Sequence, residues 1–269
     1  MIDVSLALHN QSNFLEIEPS ILSVPQVTTT SWALAFIASF ILGISKAGIK
    51  GIAIIIVTLM AIAFGAKEST GLIVPLLIVG DIFAVIYYHR YTRWKYLIKF
   101  LPWMMAGVVI GVFIGKDLPE VVFKQIMAVV ILGSVIMMYW WDQRKSKHVP
   151  SHPAFAGFMG IMAGITTMIG NLAGAFSNIF FLAMRLPKNE FIGTAAWLFF
   201  IINLFKLPFH IFVWETVTTK TLLIDLRLST GVILGLFVGV RLVKIIRDGF
   251  YRKMILILTA LGALVILLR

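Results

Sequence analysis

The sequence contains no cysteine, which excludes disulfides, thiolate metal sites, iron–sulfur clusters and thiol exchange. Acidic residues are scarce as well: 12 Asp and Glu stand against 23 Lys and Arg, and charged residues make up 13% of the 269 positions. Soluble domains carry about 25% charged residues, so a water-soluble globule is excluded. Catalytic motifs are missing too. There is no His-Glu-x-x-His, no Walker sequence and no Gly-x-Ser-x-Gly, and His9, His89, His148, His152 and His210 are scattered. No enzyme activity, cofactor or bound metal is therefore expected, and an ATP-driven pump would need a nucleotide domain from another chain. No basic soluble module exists to hold nucleic acid.

What is abundant is apolar sequence, at 60% hydrophobic residues with a mean hydropathy of +0.98. A bilayer crossing takes about 20 apolar residues. Residues 1 to 31 hold Asp3, Glu16 and Glu18 without Lys or Arg and read as a polar lead-in. Apolar segments follow at Trp32–Ser45, Gly51–Phe64, Ser69–Tyr88, Leu97–Gly115 and Pro119–Trp141. After a basic break from Asp142 to His152 come Phe155–Ile169, Ala173–Met184, Glu190–Val213, Thr221–Val240 and Tyr251–Leu268. The first two segments of each set are short and read as tilted helices or as a re-entrant hairpin. The domain reading is a lead-in (1–31), a first transmembrane repeat (32–141), a cytoplasmic linker (142–153) and a second repeat (154–269).

Either treatment of the short pair leaves later sidedness unchanged. With the N-terminus outside, Arg90, Arg93, Lys95, Lys99, Arg144, Lys145, Lys147, Arg185, Lys188, Arg241, Lys244, Arg247, Arg252 and Lys253 fall on the cytoplasmic side. Lys67, Lys116, Lys124, Lys220, Arg227 and Arg269 stay outside. The positive-inside rule thus favours both termini outside a cytoplasmic or inner membrane. Trp140 and Trp141 beside Arg144 read as an interfacial belt.

The halves resemble each other in parallel reading. Lys67-Glu68-Ser69-Thr70-Gly71 aligns with Lys188 to Gly193 with one inserted residue, Gly107/Gly111/Gly115 with Gly231/Gly235/Gly239, and Gly133 with Gly262. Five elements starting outside and five starting inside form an inverted-topology repeat, the plan of many secondary transporters. The expected fold is an all-α polytopic membrane protein of about ten helical elements in two five-element inverted repeats, each opened by short or broken helices.

Four sets of residues could act in such a fold. Gly43 to Gly51, with Lys46, Gly48, Lys50 and Gly51, and Gly164 to Gly174, with Gly170, Asn171 and Gly174, are Gly-rich breaks between apolar segments. Unwound helix ends there would turn amides and helix N-termini toward an anion; the bland reading is two tight surface loops. Asp81, inside an apolar run, aligns with Asn203 and either carries a proton or bonds a neighbouring helix through Asn203 or Lys206. Asn203, Lys206 and His210 share one helix face at spacings i, i+3 and i+7 near Pro208, lining an anion path or snorkelling outward. Pro75 kinks the matching first-half helix above Asp81 and is grouped with Asp81, Lys206 and His210 as coupling or gating. Ser177 and Asn178 read as further ligands or as helix-to-helix hydrogen bonds. The two small-residue ridges built on Gly107 and Gly231 read as packing surfaces.

These residues resemble the TauE/SafE sulfite exporter family. The likeness runs through the Gly43–Gly51 break, Gly71-Leu72-Ile73-Val74-Pro75-Leu76-Leu77 leading to Asp81, the basic stretch Tyr87 to Leu97 and the Gly107/Gly111/Gly115 helix. In the second half it runs through Gly164–Gly174 and Leu186-Pro187-Lys188 to Gly193-Thr194, and it covers about residues 32 to 268. Family members often carry denser glycine at both breaks, where this chain has Lys46, Ala47 and Lys50, and Asn171, Leu172 and Ala173. The resemblance implies a cytoplasmic-membrane transporter for small sulfur-containing anions such as sulfite, thiosulfate or organosulfonates, and the expected function is a proton-coupled secondary transporter. A passive anion channel is the main alternative, followed by an intramembrane enzyme and an assembly factor. The partners expected are the anion and membrane lipid, with a homodimer compatible.

Overall fold

Thr28 caps the first helix by accepting the Ser31 amide at 3.1 Å, as Ser and Thr do at helix starts. The computed structural model describes residues 27–119, 121–123, 125, 126, 129, 133, 136, 153–247 and 250. Its helices are α1 Thr29–Lys46, α2 Ala53–Phe64, α3 Ala66–Tyr88 with a 3-10 turn at His89–Tyr91, and α4 Trp94–Gly115; then α5 Pro153–Gly170, α6 Gly174–Ala183, α7 Lys188–Phe212 and α8 Thr219–Ile245. Among the described residues there is no strand. The lead-in 1–26, most of segment 119–141, the linker 142–152, the Trp140/Trp141 belt, Gly262 and the last apolar segment lie outside the described residues.

Six helices, α1, α3, α4, α5, α7 and α8, are long and apolar enough to cross a membrane. The expectation that the first two elements of each half are short needs correction for the first of them. Helices α1 and α5 each run 18 residues, while α2 has 12 and α6 has 10. Gly43 and Gly164 do not end their helices. They lie in helix interiors, at points where another helix crosses, so the apolar stretch before each break continues as helix to Lys46 and Gly170.

Polarity is inverted relative to a soluble protein. Phe113, Phe212 and Ile245 are 76%, 78% and 80% exposed, whereas Lys46, Lys50, Asp81 and Lys206 are buried. Apolar side chains outside and ionisable ones inside are what a bilayer solvent selects, and the chain is a multi-pass membrane protein.

The helix pairing exchanges partners between the halves. Helix α4 packs on α5, α8 packs on α1, and α3 packs on α7 between them. Glycine sets both outer crossings. A Cβ on Gly164 would stand 2.1 Å from the Met104 carbonyl oxygen, and one on Gly235 would stand 2.0 Å from that of Phe40. These backbones touch, which small residues at four-residue spacing permit.

The contacts also reset the glycine register between the halves. Gly107 and Gly111 meet α5 at Gly164 and Met168, as Gly235 and Gly239 meet α1 at Gly43 and Ala47. By these contacts Gly107 resembles Gly235 and Gly111 resembles Gly239, one step of four from the sequence alignment. A ridge repeating every four residues matches itself after a shift of four, so glycine spacing alone does not choose the register.

Overpacking a fitted core costs about 1–3 kcal/mol even where side chains can move, and at these crossings the obstacle is backbone. Gly164→Leu is expected to abolish the monodisperse peak in size-exclusion chromatography. Gly157→Ala is the control, because its Cβ would meet Trp103 at an ordinary 3.5 Å. Normal assembly of the Gly164→Leu protein would remove the close crossing from the description.

Helices α3 and α7 are tied at their ends. Arg93, in the turn before α4, donates its amide to Thr194 Oγ1 at 2.9 Å and its guanidinium to Glu190. Thr92 Oγ1 donates to the Gly193 carbonyl at 3.3 Å. The Glu190 carboxylate pushes the exposed Arg93 guanidinium pKa up, through the hydrogen bond first and charge second.

Candidate functional site

The two Gly-rich breaks face each other across one cavity. The first, residues 47–52, turns through Gly48 at φ 131° and Gly51 at φ 101°, a left-handed backbone that favours glycine. The second, residues 171–173, turns at Asn171 with φ 55°, which asparagine tolerates best among side-chain-bearing residues. Neither α2 nor α6, the helices that begin at these breaks, has a side-chain cap. Their first amides are the orphan donors of a helix N-terminus, where the dipole is positive.

The cavity has a volume of about 60 Å³, room for a small cluster of waters or one small anion. Lys46, Lys50 and Gly51 from the first break meet Asn171 and Gly174 from the second on its wall, with Asn203 from α7. Gly48 and Gly170 do not line it. An added Cβ on Gly48 would stand 2.8 Å from Ile192 Cδ1, so its role is turn and fit.

Behind this wall lies a buried ion pair. Lys46 Nζ donates to Asp81 Oδ1 at 2.5 Å, and Asn203 Nδ2 donates to Asp81 Oδ2 at 2.6 Å. Asp81 is fully buried and has both oxygens occupied, so it does pair with Asn203, and its cation is Lys46 rather than Lys206. Gly80 makes the room: a Cβ there would stand 2.7 Å from Lys46 Cγ. The lysine stem lies over this gap on its way to Asp81.

Lys50 is also buried, and among the described residues no carboxylate lies within ion-pair distance of it. Its Nζ sits 5.4 Å from the centre of the Phe199 ring, and Lys46 Nζ sits 5.3 Å from the same ring. An aromatic face attracts cations, which eases the approach of the two ammonium groups.

Of the remaining expected residues, Lys206, His210, Pro75 and Ser177 lie off the cavity. Lys206 is fully buried and points to the end of α5, not outward as a snorkelling lysine would. His210 is buried at the end of α7, its Nδ1 2.9 Å from Thr216 Oγ1 and its ring edge-on to Trp214 at 5.2 Å. Pro75 lies within α3 and does not line the cavity. Asn178 lines it, while Ser177 Oγ donates to the Ala173 carbonyl at 2.8 Å within its own helix turn.

Sequence reading missed Phe199 and Thr167, both on the cavity wall. Phe199 stands one helical turn before Asn203, a spacing that puts both on one face. Thr167 follows from the contact register: Gly43, Ile44 and Ala47 correspond to Gly164, Ile165 and Met168. The same spacing sets Lys46 against Thr167 and Lys50 against Asn171, so each break supplies equivalent wall positions.

A basic, anion-sized cavity between two broken helix pairs suits binding of a small anion within a membrane protein. No curated protein and no solved structure matches the chain. The family model described as "Sulfite exporter TauE/SafE" matches residues 32–266. That match spans both breaks, the buried pair and nearly the whole sequence, and the chain belongs to the TauE/SafE sulfite exporter family.

Proposed function

We propose that this protein is a proton-coupled secondary transporter that carries a small sulfur-containing anion, such as sulfite, thiosulfate or an organosulfonate, across the cytoplasmic membrane. The observation that carries the reading is the cavity where Lys46, Lys50 and the uncapped starts of α2 and α6 converge. Among the described residues around it, Lys46, Lys50 and Lys206 are buried with Asp81, while the other buried aspartate, Asp225, lies near the start of α8 and off the cavity wall. Buried charge is costly unless compensated, and an anion supplies the missing negative charge. Membership of a sulfite exporter family supports the sulfur-oxyanion class.

In this mechanism Lys46 and Lys50 hold charge, the amides from Gly51 and Gly174 onward donate to anion oxygens, and Asn171 and Asn203 shape the wall. Asp81 carries the proton. The exchanged packing of α4 on α5 and α8 on α1 supports two inverted repeats, one of which rocks against the other to open the cavity to each side in turn. Both termini face outside in this arrangement.

The test is flux of labelled sulfite, thiosulfate and a sulfonate in proteoliposomes, with and without an imposed proton gradient. Gradient-dependent accumulation of at least one of them is the expected result. Equilibration that ignores the gradient would make the protein a channel, and absence of all three fluxes in folded protein would overturn the substrate class.

A further inference from the structure

The Lys206 ammonium is not part of the cavity wall, yet it is the most completely enclosed lysine at the site. It is 0% exposed, and among the described residues no carboxylate lies within ion-pair distance of it. Its surroundings are oxygen. Nζ lies 3.3 Å from the Thr167 carbonyl and 3.3 Å from Thr167 Oγ1, and it hydrogen-bonds Asn171 Oδ1. The Asn171 amide is held in the orientation this requires, because its Nδ2 donates to the Thr70 carbonyl at 2.9 Å.

These oxygens come from the last turn of α5 and the residue after it, where the helix dipole is negative. Charge-assisted N–H···O bonds usually measure about 2.7–2.9 Å; the ammonium has one short bond of this directed kind, to Asn171 Oδ1, and two longer contacts to Thr167, so three oxygens surround it. A carbonyl, a hydroxyl and an amide oxygen gathered at the end of a broken helix are the ligands with which secondary transporters hold a monovalent metal cation. The first half differs. Its equivalent helix end is closed by a neutral donor, Tyr88 Oη, bonded to the Ala47 carbonyl at 2.8 Å.

We propose that Lys206 is a tethered cation: its ammonium occupies an oxygen-lined site, formed by Thr167 and Asn171 and braced by Thr70, that without the amine binds sodium. The lysine supplies, on a covalent tether, the charge that a sodium ion would bring and take away in each cycle. Wild-type function then needs no sodium, and removing the amine creates a sodium requirement. The consequence for flux rests on the transporter reading above, whereas the consequence for stability does not.

The experiment compares wild type, Lys206→Ser and Lys206→Gln, purified in choline chloride or sodium chloride of equal concentration with no sulfur anion present. Thermal unfolding is followed by tryptophan fluorescence. Wild type is expected to melt at the same temperature in both salts. Each variant is expected to melt lower in choline and to recover with sodium, and its proteoliposome flux to be lost in choline and restored by sodium. Two variants are used because serine leaves a space that glutamine partly fills, so that one folded protein suffices. The proposal is overturned if wild-type melting or flux already requires sodium, or if a folded variant responds equally to sodium and choline. A wild type that carries no sulfur anion would overturn the functional reading and leave the melting comparison standing.

Discussion

Replacing Lys50 with methionine is expected to lower affinity for the sulfur anion about 10- to 100-fold, with little loss of stability. Hydrogen bonds to charged groups contribute about 1.5–3 kcal/mol, and each 1.4 kcal/mol is a factor of about ten in binding. Lys50 lines the cavity and has no carboxylate within ion-pair distance among the described residues, so its removal leaves no buried anion behind. Methionine keeps an apolar stem of similar length without the charge. The contrast is Lys46→Met, which takes the cation from Asp81 Oδ1 at 2.5 Å. Breaking one side of a buried pair costs about 3–5 kcal/mol, so that variant is expected to lose stability as well as binding. Isothermal titration with sulfite or thiosulfate in detergent, beside thermal unfolding of both variants, separates the two roles. Wild-type affinity in Lys50→Met would sink the assignment of Lys50 to the anion.

The contrast between these lysines marks what hydropathy could and could not reveal. The class of fold was legible because a bilayer imposes long apolar runs, and the breaks were legible because glycine and lysine interrupt those runs visibly at Gly43–Gly51. Asp81 was legible for the same reason, as a charge where charge is expensive, and its alignment with Asn203 anticipated the 2.6 Å hydrogen bond. Which lysine meets Asp81 was not legible, since Lys46 is 35 residues away in sequence and reaches it across the gap at Gly80. Phe199 was hidden by its chemistry: one phenylalanine among 21 carries no mark of facing a cation. Helices α1 and α5 end within one residue of the apolar segments Trp32–Ser45 and Phe155–Ile169 and owe their extra length to starts at Thr29 and Pro153, which hydropathy does not mark, while Gly43 and Gly164 inside them serve close helix crossing. The equivalence of Lys50 with Asn171 emerged from contacts, because no residue identity links them.

Asp81→Asn is expected to retain anion binding and to lose all response to the proton gradient. The cause is the shared use of Lys46. Asp81 accepts from Lys46 Nζ at 2.5 Å and from Asn203 Nδ2 at 2.6 Å, while Lys46 also stands on the cavity wall. On the proposed mechanism an anion in the cavity and the Asp81 carboxylate would compete for one ammonium. A proton on Asp81 would cancel its claim and free Lys46 for the anion; departure of that proton would restore the internal pair and weaken the hold on the anion. Proton and anion occupancy would then rise together, as reciprocal coupling between two sites requires. At one proton per singly charged anion, a gradient of one pH unit can sustain about tenfold accumulation. Asparagine fills the same space without negative charge, so Lys46 stays available to the anion at every pH. The variant is expected to equilibrate the anion across the vesicle membrane and accumulate none, while wild type accumulates it when a gradient is imposed. The decisive comparison is accumulation ratio against imposed pH difference for the two proteins in the same vesicles. A variant that still concentrates anion with the wild-type slope would place the coupling proton on a group other than Asp81 and leave the Lys46–Asp81 pair with a purely structural role.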